Sequence, residues 1–303
     1  MTYGAAPYGA LPYGGMPSGL VWPTAGASER VLLLSPRDSD LATLVASAQA
    51  STLPVGNLQT IQPQKKWRAA GVTTCSITIA LAQAIACNAL ALVAHNLTAA
   101  AVFRIRGAGS SAAVTYAPVV DTGYVSAWPL GVKPLVASWP NYLSLVRWTN
   151  AAALQYWQLD IYDTGPGQTY LEAGRLVIGK AWQPSTNFDL GGYPVGFDPQ
   201  DVQMKTPSGY TFTDRRAASA GRQIALQITG ANQREVLDGV AEMQRLCGMW
   251  GDVIVCLDPA ATTDFHRQSM QGVFTAKPRF PIVPLFDADG IQYGATLSLD
   301  ELL

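Results

Sequence analysis

Hydrophobic and polar residues alternate along much of this chain, and the alternation has the period of a strand. In Gln155–Tyr162, Trp157, Leu159 and Ile161 fall on one side, and Gln158, Asp160 and Tyr162 on the other. That is the pattern of a strand with one buried face. Asp163-Thr164-Gly165-Pro166-Gly167 breaks the run, because glycine supplies unusual backbone angles and proline removes a ladder donor. Leu176-Val177-Ile178 resumes it and Gly179 ends it. These segments predict two strands near the middle of an antiparallel sheet. The loop 163–173 between them leaves direct hairpin pairing open.

Other segments read the same way. Arg30–Leu34 is a first strand, and 38–58 a mixed loop or short helix. Thr73–Ala80 places Cys75, Ile77 and Ile79 on one face, whereas Asn88–Ala94 is continuously apolar, as in a strand buried on both sides. Ala101–Arg106 sets Phe103 and Ile105 opposite Arg104 and Arg106, and Tyr142–Trp148 follows. Short alternating strands with irregular loops predict a β-sandwich.

A Gly/Pro-rich connector, 183–208, marks a boundary. Beyond it, 210–214, 223–229, 252–257 and 292–299 read as strands. Asn232-Gln-Arg-Glu235 has capping-box spacing, and Val236, Leu237, Val240, Met243, Leu246 and Cys247 form a helical stripe stopped by Gly248. The expected organisation is a low-complexity arm at 1–28, a β-sandwich at 29–190 and a smaller α+β region with one helix at 191–303. The fold class is mainly β.

The arm repeats every five residues: Tyr3-Gly-Ala-Ala-Pro, Tyr8-Gly-Ala-Leu-Pro, Tyr13-Gly-Gly-Met-Pro. Proline at this interval forbids helix, and the glycines make ordering costly. One reading is a disordered tail. The other is an arm that orders across a neighbouring subunit, with Tyr3, Tyr8 and Tyr13 as the contacts; regular spacing of amphipathic rings favours it.

Composition narrows the function. Charged residues are 14% of the chain, with 28 Gly and 20 Pro, which suits a β-rich protein largely covered by neighbours. A formal net charge of −1 gives no electrostatic reason to expect nucleic acid or an anionic membrane. The N-terminus lacks the pattern of a signal peptide. The apolar run Ile77–Leu97 is interrupted by Gln83, Asn88, His95 and Asn96, so it reads as two buried strands with a turn near Ala86-Cys87-Asn88, not a membrane span. Cys75, Cys87, Cys247 and Cys256 form no CxxC pair and read as reduced, buried thiols of a protein folded in a cytoplasm. A metal or iron–sulfur site would require the fold to gather Cys247 and Cys256 with the distant pair.

No catalytic constellation assembles. GxSxG, HExxH, P-loop and GxGxxG motifs are missing. Asp264-Phe265-His266 sets an acid near an imidazole without a nucleophile motif. His95 is a ligand or base on one reading and a hydrogen-bonded strand-end residue on the preferred one. Asp160, Asp163 and Glu172 offer a glycosidase pair or, by default, turn carboxylates. Trp128, Trp139, Trp148, Trp157 and Trp182 offer a sugar platform or core packing. In Lys65-Lys66-Trp67-Arg68, a phosphate contact is weaker than Trp67 packed under its cationic neighbours. The expectation is therefore no enzyme, no cofactor and no metal.

Arg30-Val-Leu-Leu-Leu, Leu53-Pro-Val-Gly-Asn-Leu, Trp67-Arg68, Ala91-Leu-Val-Ala-His-Asn-Leu and Phe103-Arg-Ile-Arg resemble minor tail proteins of long-tailed bacteriophages. So do Tyr156-Trp-Gln-Leu-Asp-Ile, Gly174-Arg-Leu-Val-Ile-Gly and Tyr293-Gly-Ala-Thr-Leu-Ser-Leu-Asp-Glu-Leu. The resemblance runs from about Arg30 to the C-terminus and leaves out the arm. It implies a non-enzymatic virion structural protein of the tail tip or baseplate with a jelly-roll-like sandwich. Such a protein is assembled in the host cytoplasm and joins other tail proteins, as a homo-oligomer in a symmetric assembly. The alternative is a carbohydrate-binding, host-recognition module with a host-surface glycan as partner.

Overall fold

The computed structural model describes residues 30–128, 133, 142–149, 152–185, 187–188, 195–198, 202–214, 221–261, 265–275, 282–283 and 292–302. Tyr3, Tyr8, Tyr13, Trp139 and Asp264 lie outside them. The architecture is mainly β: a β-sandwich and a helix-backed sheet, every strand pair antiparallel.

Alternation decides which side of each strand is covered. The outer sheet has five strands in the order Thr43–Ala46, Thr74–Ala86, Ala153–Tyr162, Val102–Ala108, Val120–Ser126. Its inward residues, among them Ile77, Ile79, Phe103, Ile105, Trp157, Leu159 and Ile161, share one core with Leu90, Leu92, Leu176 and Ile178. Those four come from an inner sheet of three strands, Arg175–Gly179, Ala89–Val93 and Leu143–Arg147. The inner sheet is buried on its other face too, where Ala89, Ala91, Val93 and Val177 meet Leu32, Leu34, Ile254 and Cys256. This double burial is why Asn88–Ala94 shows no alternation.

Leu32, Leu34, Ile254 and Cys256 belong to a seven-stranded sheet ordered Leu32–Leu34, Asp252–Cys256, Ser269–Phe274, Gln292–Glu301, Gly221–Asn232, Val195–Asp198, with Ile282–Val283 paired to Gln292–Glu301. On its far side Leu33, Val253, Val255, Leu226 and Leu297 pack against Val236, Val240, Met243 and Cys247 of the helix. The layers therefore run helix, seven-stranded sheet, inner sheet, outer sheet. The first strand pairs with Asp252–Cys256, a partnership that a division into 29–190 and 191–303 leaves out. Leu33 also exchanges two backbone hydrogen bonds with Trp182, at 2.9 and 2.8 Å.

Arg175 locks the inner sheet to the seven-stranded one. It is 0% exposed and donates to both oxygens of Asp252, at 2.9 and 2.8 Å. It also reaches both oxygens of Asp40, at 2.5 and 2.8 Å. Burial works against its charge, yet the two carboxylates more than offset that and raise its pKa. Asp252 further accepts from Gln271 Nε2 at 2.7 Å. Both carboxylate oxygens of Asp252 are thus hydrogen-bonded, as a desolvated pair requires.

The helix runs from Gln233 to Cys247, with a π-helical stretch at Val236–Ala241 between two α-helical ends. The predicted stripe is largely right: Val236, Val240, Met243 and Cys247 are buried, while Leu237 is 41% exposed. Asn232 ends a strand, and Glu235 accepts from Ser185 N and Oγ at 3.1 and 2.7 Å. The widened turn accommodates Trp182, whose Nε1 donates to Glu235 O at 2.8 Å. A Cβ on Gly239 would lie 2.1 Å from that nitrogen, so glycine is required there by close approach.

The two strands around 163–173 also part company. Ala153–Tyr162 is central in the outer sheet, but Arg175–Gly179 is an edge of the inner one. The loop crosses the sandwich, and on the way Leu171–Ala173 pairs with Trp67–Ala69.

Candidate functional site

The residues singled out for chemistry are occupied with holding the fold. Asp160 is 2% exposed and accepts from Ser76 Oγ, Gln158 Nε2 and Arg106, each at 2.6 Å. Asp163 accepts from Thr98 N at 2.7 Å, Gly165 N at 3.1 Å and the Thr98 hydroxyl. Glu172 is bound by Arg68, which stacks 4.4 Å from the centre of Tyr170. Trp67 is buried, so the basic run is split between core and surface.

His95 is the strand-end residue expected. Its Nε2 lies 2.9 Å from Ser144 Oγ. Burial first, then the charges of Lys133 and Lys66, hold its pKa down to about 3, so the ring is neutral at ordinary pH. All four cysteines are free and buried. Burial pushes the Cys87 thiol up to about 12 and raises Cys247 and Cys256 as well, which leaves those three poor ligands and nucleophiles. Among the described residues no group of three or more His, Cys, Asp and Glu is arranged to hold a metal. No helix among them is long and apolar enough to cross a membrane. Trp128 and Trp157 are core residues, Trp148 and Trp182 are half-buried, and no open tryptophan platform forms among the described residues.

What the fold leaves unpartnered lies elsewhere. Val202–Lys205 and Thr211–Asp214 form a two-stranded ribbon that pairs with no other strand among the described residues. Gly209, at φ +87°, closes its turn, with Gly209 N donating to Thr206 O at 2.9 Å. All four residues of Thr211–Asp214 are exposed, so both faces of that strand are open. Met204 stands directly opposite Phe212; they are 58% and 60% exposed, and Tyr210 at the turn is 71% exposed. Just before the ribbon, Val195–Asp198 is the edge strand of the seven-stranded sheet, with Val195 41% and Phe197 61% exposed. Among the described residues, a sheet-edge strand with one partner and an exposed ribbon thus follow each other in sequence. Sequence reading identified Tyr210–Asp214 as a strand but assigned it no partner role; the signal was the Thr206-Pro-Ser-Gly209 turn between two short alternating runs.

A second open feature is the outward face of the outer sheet. Tyr124 is 59% exposed, with the Tyr162 ring edge-on at 5.2 Å and the Arg104 guanidinium 5.6 Å from its centre. Arg104 grips Asp121 with two hydrogen bonds, at 3.0 and 2.6 Å.

No protein-family profile matches the chain, and no curated protein does. Solved structures do. A chitosan-binding module from a Paenibacillus sp. IK-5 chitosanase/glucanase is 15% identical, covering 46% of this chain and 94% of the module, with a TM-score of 0.33. The family 32 carbohydrate-binding module of C. perfringens NanJ, in complex with galactose, is 11% identical over 48% and 98%, TM-score 0.35. The lectin domain of Lectinolysin complexed with Lewis B antigen is 8% identical over 48% and 99%, TM-score 0.35.

Proposed function

We propose that the protein is a non-catalytic building block of a symmetric multi-subunit assembly, of the kind found at the tail tip or baseplate of a long-tailed bacteriophage. The observation that carries this reading is the ribbon 202–214. A two-stranded ribbon whose described side chains are largely exposed is marginal in water, and an edge strand with one partner among the described residues invites strand addition. A second copy of this chain is the occupant that satisfies both. The commitment of Asp160, Asp163, Glu172 and His95 to internal bonds supports a structural role. The phage setting comes from the sequence resemblance and is part of the proposal.

The test is the mass of the purified full chain by light scattering, compared with Met204→Ser/Phe212→Ser. The reading expects a defined oligomer that the double variant weakens at unchanged fold. A wild-type chain that stays monomeric at high concentration would refute it. Labelled antibody on intact particles tests the phage setting: signal at the tail tip is expected, and its absence from purified particles overturns that part.

A second reading, glycan binding by the outer sheet, is favoured by the Tyr124–Arg104–Asp121 group. An exposed ring beside a bidentate charged pair can stack on a sugar and hydrogen-bond its hydroxyls. A glycan array probed with the wild type and Tyr124→Ala separates the readings: binding lost in the variant would favour the glycan site.

A further inference from the structure

The turn that follows the helix is built to show two large apolar side chains to solvent. Gly248, at φ +59°, donates to Gln244 O at 2.7 Å, and Gly251 donates to Cys247 O at 2.8 Å. A Cβ on Gly248 would lie 3.2 Å from the Trp250 ring, and one on Gly251 2.7 Å from the Cys247 oxygen. The glycines therefore fix the outward pose of Met249 and Trp250, which are 49% and 79% exposed. Trp250 walls a cleft of about 380 Å³ together with Pro36, Leu41, Ile61 and Leu246. Leu41 is itself 65% exposed.

Most polar groups at this cleft are already engaged; Arg37 also lines it and is exposed. Asp40 holds Arg175, and Gln59 Nε2 donates to the carbonyls of Ser39 and Ala42, each at 2.8 Å. What stays open is apolar wall beside the exposed Arg37 side chain, a combination that suits a tyrosine ring. Residues 1–28 of the chain contain no charged side chain and carry a tyrosine and a proline in each five-residue repeat. Proline-rich segments dock in aromatic-lined grooves because their extended form costs little further entropy. The described chain starts at Arg30, and Ser35-Pro36-Arg37 just after the first strand leads into the cleft. Pro36 is six residues from Arg30 and so within about 20 Å of it, and residues 18–29 would span roughly 40 Å if drawn out at about 3.3 Å each, enough to reach back to the cleft.

We propose that the Trp250 cleft is the docking site for the Tyr-Gly-x-x-Pro repeats at residues 3–17, with a tyrosine or proline ring laid against the indole. This rests on reading those repeats as a partner-seeking arm and is independent of ribbon pairing.

The test is photo-crosslinking of the full-length chain with Tyr8 replaced by benzoylphenylalanine, the cross-linked peptides being identified by mass spectrometry. Cross-links to 36–61 or 246–251 are expected, and Trp250→Ser should lower their yield roughly tenfold, the worth of one lost aromatic contact. Leu41→Ser, on the opposite wall, is a second variant with the same expectation should Trp250→Ser fold poorly. Cross-links confined to the ribbon 202–214 would overturn the cleft proposal while supporting the ribbon as a contact surface. No cross-link to either region would overturn it as well.

Discussion

The inner strand Arg175–Gly179 and the ribbon strand Thr211–Asp214 use the same antiparallel ladder in opposite circumstances. Every residue of the first is buried, and every residue of the second is exposed. The inner strand is covered because the outer sheet closes over one face and the helix-backed sheet over the other, and Arg175 is buried together with Asp252. Among the described residues the two ribbon strands pair only with each other. A ladder supplies pairing in both cases; burial of the two faces, by far the larger favourable term, separates a strand that stabilises the monomer from one available to another chain.

The comparison can be broken most forcefully at the buried pair. Asp252→Ala leaves Arg175 short of a partner in an apolar seam, and a loss of about 3–5 kcal/mol is expected, read as a large fall in Tm. Gly239→Ala comes next: the added methyl must displace Trp182 from the helix, an expected cost of about 1–3 kcal/mol, seen by thermal melting and a change in tryptophan emission.

His95 gives a pH test at the end of the inner sheet. Unfolded, it takes a proton near 6.5; folded, only near 3. Across that window the unfolded chain binds more protons. Its contribution to stability is therefore complete above about 6.5 and is lost as pH falls, at about 1.4 kcal/mol per pH unit. Denaturant melts from pH 7 to pH 5 should show this slope, and His95→Gln should flatten it. The ribbon is the smallest case for the monomer. Met204→Ser/Phe212→Ser should change its stability by about 0.5 kcal/mol or less while reducing self-association. A ribbon variant that destabilised the monomer as much as Asp252→Ala would remove the distinction between the two strands.

Local pattern was legible where one layer decides burial. Trp157, Leu159 and Ile161 face the core as their alternation implies, and the unbroken run at Asn88–Ala94 marks a strand covered twice. Pairing across long separations was not legible. Nothing near Leu32 announces Cys256 as its neighbour, and nothing near Arg175 announces Asp40 and Asp252 as its partners. Ser269–Phe274 escaped notice because Gln271 and Gly272 interrupt its alternation, although both are buried. Among the site candidates, His95 and the three carboxylates behaved as structural residues. The exposed Met204, Phe212 and Trp250 carried no sequence signal, since exposure is a property of what fails to pack on them.

The paired backbone bonds between Leu33 and Trp182 have an evolutionary consequence. Everything from Ser35 to Ala181 leaves and re-enters the rest of the chain through one clasp, so a replacement of different length need only close the same gap, and closure cost grows slowly with length. Any graft must, however, bring its own lid for Leu32, Leu34, Ile254 and Cys256 and its own cation for Asp252. The clasp makes the sandwich exchangeable, and that apolar face restricts the exchange to modules shaped to fit it.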